Sequence, residues 1–287
     1  MSAIFRKELK IYFSGLFGYV STAILLLFAG LFSALIHLFS ASADFAVTLT
    51  LMQWVLIVLI PFFSMRSIAE ERHSRTDLLL YSLPLRLSEV VLGKFLAQAV
   101  LFLIPTGVMA LFPLLFSTMG SINLASAYVA LFGYVLMALA LIALCTYLSS
   151  LVENQIVAAV LSIAALLGFY FLGSFLPLLP TASLFSLVVC LLAALGAGAL
   201  MWRATKNVTL GLIIAALLVT AVSVVFLVRP EAFVNLIASF LHAVNPFTRF
   251  GGMTYGHLDL PAVLFYLTFI GVFLFLTVQS MEKRRRV

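Results

Sequence analysis

Long apolar stretches separated by short polar breaks dominate the chain. A helix needs about 20 mainly apolar residues to cross roughly 30 Å of hydrocarbon. Eight stretches are of about that length, and we place them at approximately Leu16–Phe39, Thr48–Met65, Gly93–Phe116, Ala125–Leu151, Ile156–Leu176, Ser183–Trp202, Val208–Val228 and Pro261–Ser280. The pattern predicts an all-α, polytopic membrane helix bundle with about eight transmembrane helices.

The composition strengthens this interpretation. Hydrophobic residues make up 64% of the 287 residues, and charged residues make up 9%. A typical soluble domain has about 45–50% apolar and about 25% charged residues. A water-soluble fold could not cover this much apolar surface with polar groups, so the composition excludes an ordinary soluble domain.

Basic residues indicate the orientation, because Lys and Arg are retained on the cytoplasmic side of a membrane. With both termini inside, fourteen of the sixteen basic residues fall in cytoplasmic segments, and only Arg229 and Arg249 fall outside. We therefore expect a multi-pass protein of the plasma or bacterial inner membrane with cytoplasmic N- and C-termini. The net charge of +6 follows from this topology and the anionic inner leaflet, without a nucleic-acid partner.

Candidate chemistry is sparse. No Asp, Glu, Lys or Arg lies near the middle of a predicted span, which disfavours proton-coupled carriers, ion pumps and intramembrane proteases. No Gly-x-x-x-x-Gly-Lys-Ser/Thr loop occurs, so ATP hydrolysis would require another chain. His73 beside Glu70 and Glu71 lacks the His-x-x-x-His spacing of a helical metal pair. We expect no catalytic residue, metal or cofactor. A secondary transporter and a membrane enzyme acting on a lipid-like substrate stay as alternatives.

The longest predicted cytoplasmic loop, residues 66–92, contains the most informative polar sequence. A charged stretch from Arg66 to Asp77 precedes an apolar run that meets Pro84, and proline disfavours helix in the residue before it. Ser88 is a candidate N-cap for the next helix. The pattern predicts an extension of the second span, a short interfacial helix, a turn and re-entry, with an ordinary solvated loop as the alternative.

The N-terminal segment, residues 1–15, has the pattern of an amphipathic interfacial helix. Its apolar residues recur at helical spacing, while its basic residues occupy other faces. The apolar positions are Ile4, Phe5, Leu9, Tyr12 and Phe13, and the basic positions are Arg6, Lys7 and Lys10.

The cytoplasmic loop resembles the signature of type-2 ABC exporter permeases. The matching residues are Met65-Arg66-Ser67-Ile68-Ala69-Glu70-Glu71-Arg72, Thr76, Leu78–Leu80, Ser82, Pro84 and Gly93-Lys94. The C-terminal part is similar to the permeases of gliding motility and nitrous-oxide-reductase maturation, through Asn245-Pro246-Phe247, Arg249-Phe250, Gly256 and Met281-Glu282-Lys283-Arg284-Arg285. The resemblance covers roughly residues 1–176 and 243–287.

This resemblance implies an exporter permease that works with a separate ABC ATP-binding subunit in two copies and with a second permease chain, as a homodimer or heterodimer. It implies a coupling helix between Arg66 and Leu83 that rests on the ATPase. The residues that it assigns to ATPase coupling are Arg66, Glu70, Glu71, Arg72, Arg75, Thr76, Leu79 and Pro84. The residues that it assigns to an external gate are Asn245, Pro246, Phe247 and Arg249.

Two features depart from the family pattern. Arg75 stands where the family usually has glycine, which favours a tighter or more helical turn. The family core usually has six spans, so residues 183–228 form a possible inserted helix pair within a single permease domain, 1–287. Residues 229–260 would form the external gate or a re-entrant region, with a lid over the outer helix ends as the alternative.

Overall fold

The structure is a computed structural model, and it describes residues 2–39, 44–75, 86–118, 123–175, 178 and 182–285. The residues in these ranges form thirteen α-helices and no β-strand. The helices are α1 (Ser2–Ser14), α2 (Leu16–Ser33), α3 (Phe45–Met65), α4 (Ala69–His73), α5 (Leu87–Met109), α6 (Phe112–Ser117), α7 (Leu124–Leu151), α8 (Gln155–Phe175), α9 (Ser183–Thr205), α10 (Val208–Val228), α11 (Leu236–Val244), α12 (Pro246–Thr254) and α13 (Leu260–Arg285).

Eight helical segments within the described ranges are long and apolar enough to cross a membrane. They are Leu16–His37, Phe45–His73, Leu87–Ser117, Leu124–Leu151, Gln155–Phe175, Ser183–Arg203, Val208–Val228 and Leu260–Arg285. The predicted polytopic helix bundle is confirmed.

Short polar side chains define the beginnings of several spans. A carboxylate oxygen of Asp44 accepts the Ala46 N–H at 2.9 Å, at the start of α3. The amide oxygen of Asn123 accepts the Ser126 N–H at 3.3 Å, at the start of α7. Each bond satisfies a backbone donor that the first helical turn leaves open.

The prediction for the start of the third span is wrong. Helix α5 begins at Leu87, and its N-cap is Arg86, so Ser88 lies inside the first turn. The backbone of Arg86 is extended, and its carbonyl accepts the Glu89 N–H at 2.9 Å. The helix therefore begins without a side-chain cap, and it begins six residues before Gly93.

The chain packs as two compact units. The first unit comprises Met1–Phe169 and Pro246–Val287, and the second comprises Tyr170–Asn245. Within the first unit α7 is central, because α3, α5, α12 and α13 all pack against it. The predicted single domain, 1–287, thus contains two separately packed parts, and the predicted pair 183–228 lies in the second.

The second unit is built on a helical hairpin of α9 and α10. A Cβ atom added at Gly198 would lie 2.6 Å from Cβ of Ala215, and one added at Gly211 would lie 2.8 Å from the Gly198 carbonyl oxygen. The two backbones therefore approach as closely as glycine permits, which is how small residues favour helix association in membranes. Lys206, with φ of 54°, closes the turn between them.

Candidate functional site

The second span does not continue into the loop as one straight helix. Helix α3 ends at Met65, and α4 begins at Ala69 after a three-residue turn. The Ser67 N–H binds the Ser64 carbonyl at 3.0 Å within this turn. The predicted extension is therefore a bend followed by one short helix, and the bend leaves the Ser67 carbonyl oxygen available to a partner outside the helix.

That partner is Lys94, in the second turn of α5. Its side chain is 1% exposed. Its ammonium nitrogen lies 2.9 Å from Oε1 of Glu8, 2.9 Å from Oε1 of Glu71 and 2.7 Å from the Ser67 carbonyl oxygen. An ammonium group has three donors, and these three acceptors match them. Lys94 therefore joins α1, the bend and α4 to the start of the third span.

Arg72 ties the other side of α4 to the end of α7. Its side chain is buried, and Nη1 donates to the Ser150 carbonyl oxygen. Beside it, the Ala69 N–H donates to Oγ of Ser149 at 3.2 Å. The Ser280 hydroxyl, near the end of α13, also donates to the Ser150 carbonyl at 3.2 Å. Helix α4 is thus fixed to α7 by buried polar contacts, and the same Ser150 carbonyl links α7 to α13.

A buried glutamine lies one turn of α5 beyond Lys94. The side-chain oxygen of Gln98 accepts the Ser64 hydroxyl at 2.9 Å and the Thr146 hydroxyl at 3.4 Å. Buried amide and hydroxyl groups are costly unless they bond to each other. The Gln98 oxygen therefore joins α3, α5 and α7 just inside the charged layer.

Helix α1 packs inward rather than lying only along a surface. A Cβ atom added at Gly93 would lie 3.1 Å from Cγ2 of Ile4, so glycine allows α1 to approach α5 closely. The Tyr12 hydroxyl donates to the Phe63 carbonyl at 3.5 Å. Burial, and then the nearby Glu8 carboxylate, raise the pKa of Tyr12, which keeps its proton for this bond.

We call the cluster of Glu8, Ser67, Glu71, Arg72, Lys94 and Ser150 the charged junction. A polar pocket of about 260 Å³ lies beside it. The walls of this pocket include Lys7, Tyr12, Phe17, Arg66, Glu70 and Ser74. Glu71 also lies 3.7 Å from the Lys7 ammonium, and the Arg284 guanidinium lies 2.8 Å from Glu153. The ends of α1 and α13 thus both reach this end of the first unit.

The predicted coupling residues fall into three groups. Glu71 and Arg72 belong to the charged junction, whereas Arg66, Glu70 and Arg75 are exposed. Arg75 has φ of 56°, the left-handed conformation that glycine adopts most easily. The turn there therefore keeps the backbone of a glycine-type helix end rather than becoming more helical. Thr76, Leu79 and Pro84, together with the predicted helix end at Leu83, lie outside the described residues.

The predicted gate residues lie at the opposite end of the first unit, except Asn245, which is the C-cap of α11 in the second unit. Pro246, Phe247 and Arg249 belong to α12, which packs on α7 and α13. The Tyr266 hydroxyl donates to the Pro246 carbonyl at 2.7 Å, and the Arg249 guanidinium lies 5.7 Å from the centroid of the Phe265 ring. Helix α12 thus packs against α7 and α13, and both the gate and the lid over the outer helix ends stay predictions.

Sequence reasoning did not assign a role to Glu8, Lys94 or Gln98. Lys94 was visible as part of a Gly-Lys pair, but a lysine near the start of a span also fits the positive-inside pattern. Glu8 precedes Tyr12 by about one helical turn, so both side chains lie on the buried face of α1. An acidic residue on the otherwise apolar face of α1 was the signal that could have identified the contact.

One comparison with known proteins, that with protein-family models, agrees with this architecture. The family model described as ABC-2 family transporter protein matches residues 37–185, slightly more than half of the chain. The comparison with curated proteins finds no match. The matched range contains the bend, α4, Lys94, Gln98 and the end of α7, and therefore most of the charged junction. The chain belongs to the ABC-2 family of transporter proteins and is a multi-pass membrane permease of the ABC type.

Proposed function

We propose that this permease is the transmembrane subunit of an ABC exporter that is driven by a separate ATP-binding subunit. The supporting observation is the charged junction, which joins α4 to three other helices, α1, α5 and α7, through the buried side chains of Lys94 and Arg72. A partner that displaces α4 would therefore displace the helices joined to it. The permease itself would supply no catalytic group.

The contacts of Lys94 and Arg72 support transmission of force in two directions. Lys94 joins α4 to α1 and to the third span through Glu8 and Glu71. Arg72 joins α4 to the end of α7, at a carbonyl that also binds Ser280. Charged groups buried in this way are costly to separate, because each would lose its partner without regaining water. We infer that α4 moves with these helices rather than independently of them.

The exposed side of α4 is the surface on which we place the ATPase. His73, Ser74 and Arg75 are exposed, whereas Glu71 and Arg72 are turned into the permease. The remaining predicted contacts, Thr76, Leu79 and Pro84, follow directly along the chain. We therefore propose that Glu71 and Arg72 act in coupling as anchors, and that the segment from His73 onward touches the ATPase.

We propose that the charged junction lies on the cytoplasmic side of a plasma or bacterial inner membrane. The basic residues at this end and the family's normal association with an ABC ATPase support this orientation. Two ATPase copies and two permease chains, alike or different, complete the transporter. Membership in the subgroup of gliding-motility and nitrous-oxide-reductase-maturation permeases rests only on the sequence motifs at residues 245–256 and 281–285.

The test is co-purification of an ATPase with the tagged permease in mild detergent. The variant His73→Glu, Arg75→Glu reverses the charge of the exposed segment without touching the anchors. The matched control is Arg203→Glu, an exposed arginine of the second unit. We expect an ATPase to accompany the unmodified chain and the control, and to be lost from the double variant.

A different result would overturn the proposal. If no ATPase co-purifies in several detergents, and the purified chain alone moves or modifies a substrate, then the protein is not the passive half of an ATP-driven exporter. The monodisperse elution of each variant on gel filtration is the check that the permease itself remains folded.

A further inference from the structure

Two neighbouring hollows share one wall residue, Phe17. The first is an open apolar groove of about 510 Å³ between α2 and α3. Its walls include Phe17, Ile24, Phe28, Trp54, Phe62 and Phe63. The second is the polar pocket of about 260 Å³ beside the charged junction. Since Phe17 lines both, the apolar groove ends where the polar pocket begins.

The groove lies at membrane depth. Both of its walls belong to candidate spans, and Trp54 and Phe62 on those walls remain 43% and 40% exposed. From Phe17 to Phe32 the groove follows about 22 Å of helix, at 1.5 Å per residue. The groove is apolar along this whole length, so it suits a hydrocarbon chain.

The charges of the polar pocket are mostly paired with each other. Lys94 binds Glu8 and Glu71, and Lys7 also lies beside Glu71. Two pocket residues differ. Arg66 and Glu70 form no ion pair with any residue in the described ranges. Among the described residues, the pocket therefore holds one cation, Arg66, and one anion, Glu70, that take no part in the Lys94 and Lys7 ion pairs.

Arg66 marks the boundary between the two hollows. Its guanidinium carbon lies 4.9 Å from the centroid of the Phe17 ring, the residue that lines both. A guanidinium group binds phosphate oxygens in a fork geometry. Glu70 lines the same pocket and supplies a carboxylate that an ammonium group would neutralise. The pair therefore complements a headgroup that carries both a phosphate and an ammonium.

We propose that the groove and the polar pocket together bind one zwitterionic phospholipid with a primary ammonium group, of the phosphatidylethanolamine type. Its acyl chain occupies the groove, its phosphate binds Arg66, and its ammonium binds Glu70. An anionic phospholipid would satisfy Arg66 but would leave Glu70 unneutralised. This inference does not depend on the ATPase, and it places a lipid at the bend that precedes α4.

Tryptophan fluorescence provides the test, because the chain has two tryptophans and one of them lines the groove. The substitution Trp202→Phe leaves Trp54 as the only tryptophan. Trp54 precedes Arg66 by twelve residues, about 18 Å along the helix, which is close to half the thickness of a bilayer. Phospholipids with brominated acyl chains quench a tryptophan that they contact. Quenching of Trp54 therefore measures occupancy of the groove.

The Trp202→Phe protein is reconstituted in vesicles that contain brominated phosphatidylethanolamine, phosphatidylglycerol or phosphatidylcholine at equal mole fractions. We expect phosphatidylethanolamine to bind about two- to five-fold more tightly than either of the others, the range expected for partly exposed ion pairs. Glu70→Gln should abolish its advantage over phosphatidylglycerol. Arg66→Gln should weaken quenching by all three lipids. Lys10→Gln changes an exposed residue of α1 outside the pocket, and it should alter neither the preference for phosphatidylethanolamine nor the extent of quenching.

Two results would overturn the proposal. Equal quenching by all three lipids, unchanged by Glu70→Gln, would mean that the groove holds bulk lipid without selection. Absence of quenching by any lipid would mean that protein, such as a second copy of this chain, covers the groove. Both Arg66 and Glu70 are exposed, so each variant should elute as the unmodified protein does on gel filtration.

Discussion

Lys94 and Glu8 are 86 residues apart in the chain, yet the Lys94 ammonium lies 2.9 Å from Oε1 of Glu8 in a buried position. This ion pair joins the first helix to the third span, and Glu71 adds the coupling segment to the same ammonium. A single side chain therefore connects the N-terminal helix, the coupling segment and the third span.

Replacement of this ammonium should destabilise the permease. Lys94→Met removes the charge but keeps most of the side-chain volume, and it leaves the carboxylates of Glu8 and Glu71 without their buried partner. Removal of one member of a buried ion pair costs about 3–5 kcal/mol. We expect a clear fall in the thermal unfolding temperature in detergent. Lys10→Met, at an exposed position of the same helix as Glu8, should change stability by about 0.5 kcal/mol or less.

A result in which Lys94→Met unfolds at the same temperature as Lys10→Met would show that the ion pair contributes nothing. A second variant, Glu8→Gln, keeps the shape of α1 while it removes one of the two carboxylates. Its loss of stability should be smaller than that of Lys94→Met, because Glu71 still pairs with Lys94.

The positions of the spans could be predicted because the length of an apolar run is a local property of the sequence. The burial of Lys94 and Arg72 could not, because it depends on where distant acceptors lie. Lys94 needs Glu8 and the Ser67 carbonyl, and Arg72 needs the Ser150 carbonyl. In the sequence both residues are indistinguishable from basic residues that keep a loop on the cytoplasmic side.

In the coupling segment, too, the sequence predicted the location of the residues but not which of them are buried. Its charged residues were identified as a group from the family motif, but the motif did not separate anchors from exposed residues. Only the packing of α4 against α7 turns Arg72 inward and leaves Arg75 outside. The start of α5 was misplaced because the helix begins at Leu87, several residues before the strongly apolar run, and no side-chain cap marks that start.

Arg75→Gly should stabilise the end of α4. Arg75 has φ of 56°, and a residue with a Cβ atom pays about 1–2 kcal/mol for this left-handed conformation, whereas glycine adopts it freely. We expect slower amide hydrogen exchange in residues 69–75, measured by mass spectrometry. Ser74→Gly is the comparison, because Ser74 has ordinary helical geometry and glycine there should accelerate exchange. Equal exchange in the two variants would contradict the prediction.

Gly256→Ala should weaken the packing of the segment that follows α12. Gly256 has φ of 78°, and an added Cβ atom would lie 2.6 Å from Oγ and 2.7 Å from Cβ of Ser126. The substitution combines a strained backbone with a clash at the start of α7, and we expect a cost of about 2 kcal/mol. Gly271→Ala, where an added Cβ meets nothing within 4 Å, should be neutral or slightly stabilising. Thermal unfolding in detergent separates the two.

Arg72 and Arg75 should respond differently to substitution. Arg72→Met removes a buried anchor, so we expect both a lower unfolding temperature and weaker retention of the ATPase. Arg75→Glu changes an exposed residue, so we expect weaker retention of the ATPase. The free energy of unfolding should change by about 0.5 kcal/mol or less, which leaves the unfolding temperature almost unchanged. Loss of stability without loss of the ATPase in Arg72→Met would show that the position of α4 is irrelevant to the partner.

The central claim is that nucleotide binding by the partner moves α4 together with the spans to which it is fixed. Spin labels at Ser88, in the first turn of α5, and at Tyr255, both exposed, report the distance between the charged-junction end of the first unit and its far end without altering the segment that touches the ATPase. Cys145 and Cys190 are first replaced by alanine so that only these positions react. In the complex with its ATPase, we expect ATP to shift the distance distribution, and Lys94→Met to abolish the shift while the ATPase stays bound. An unchanged distribution with and without ATP, in a complex that hydrolyses ATP, would contradict the claim.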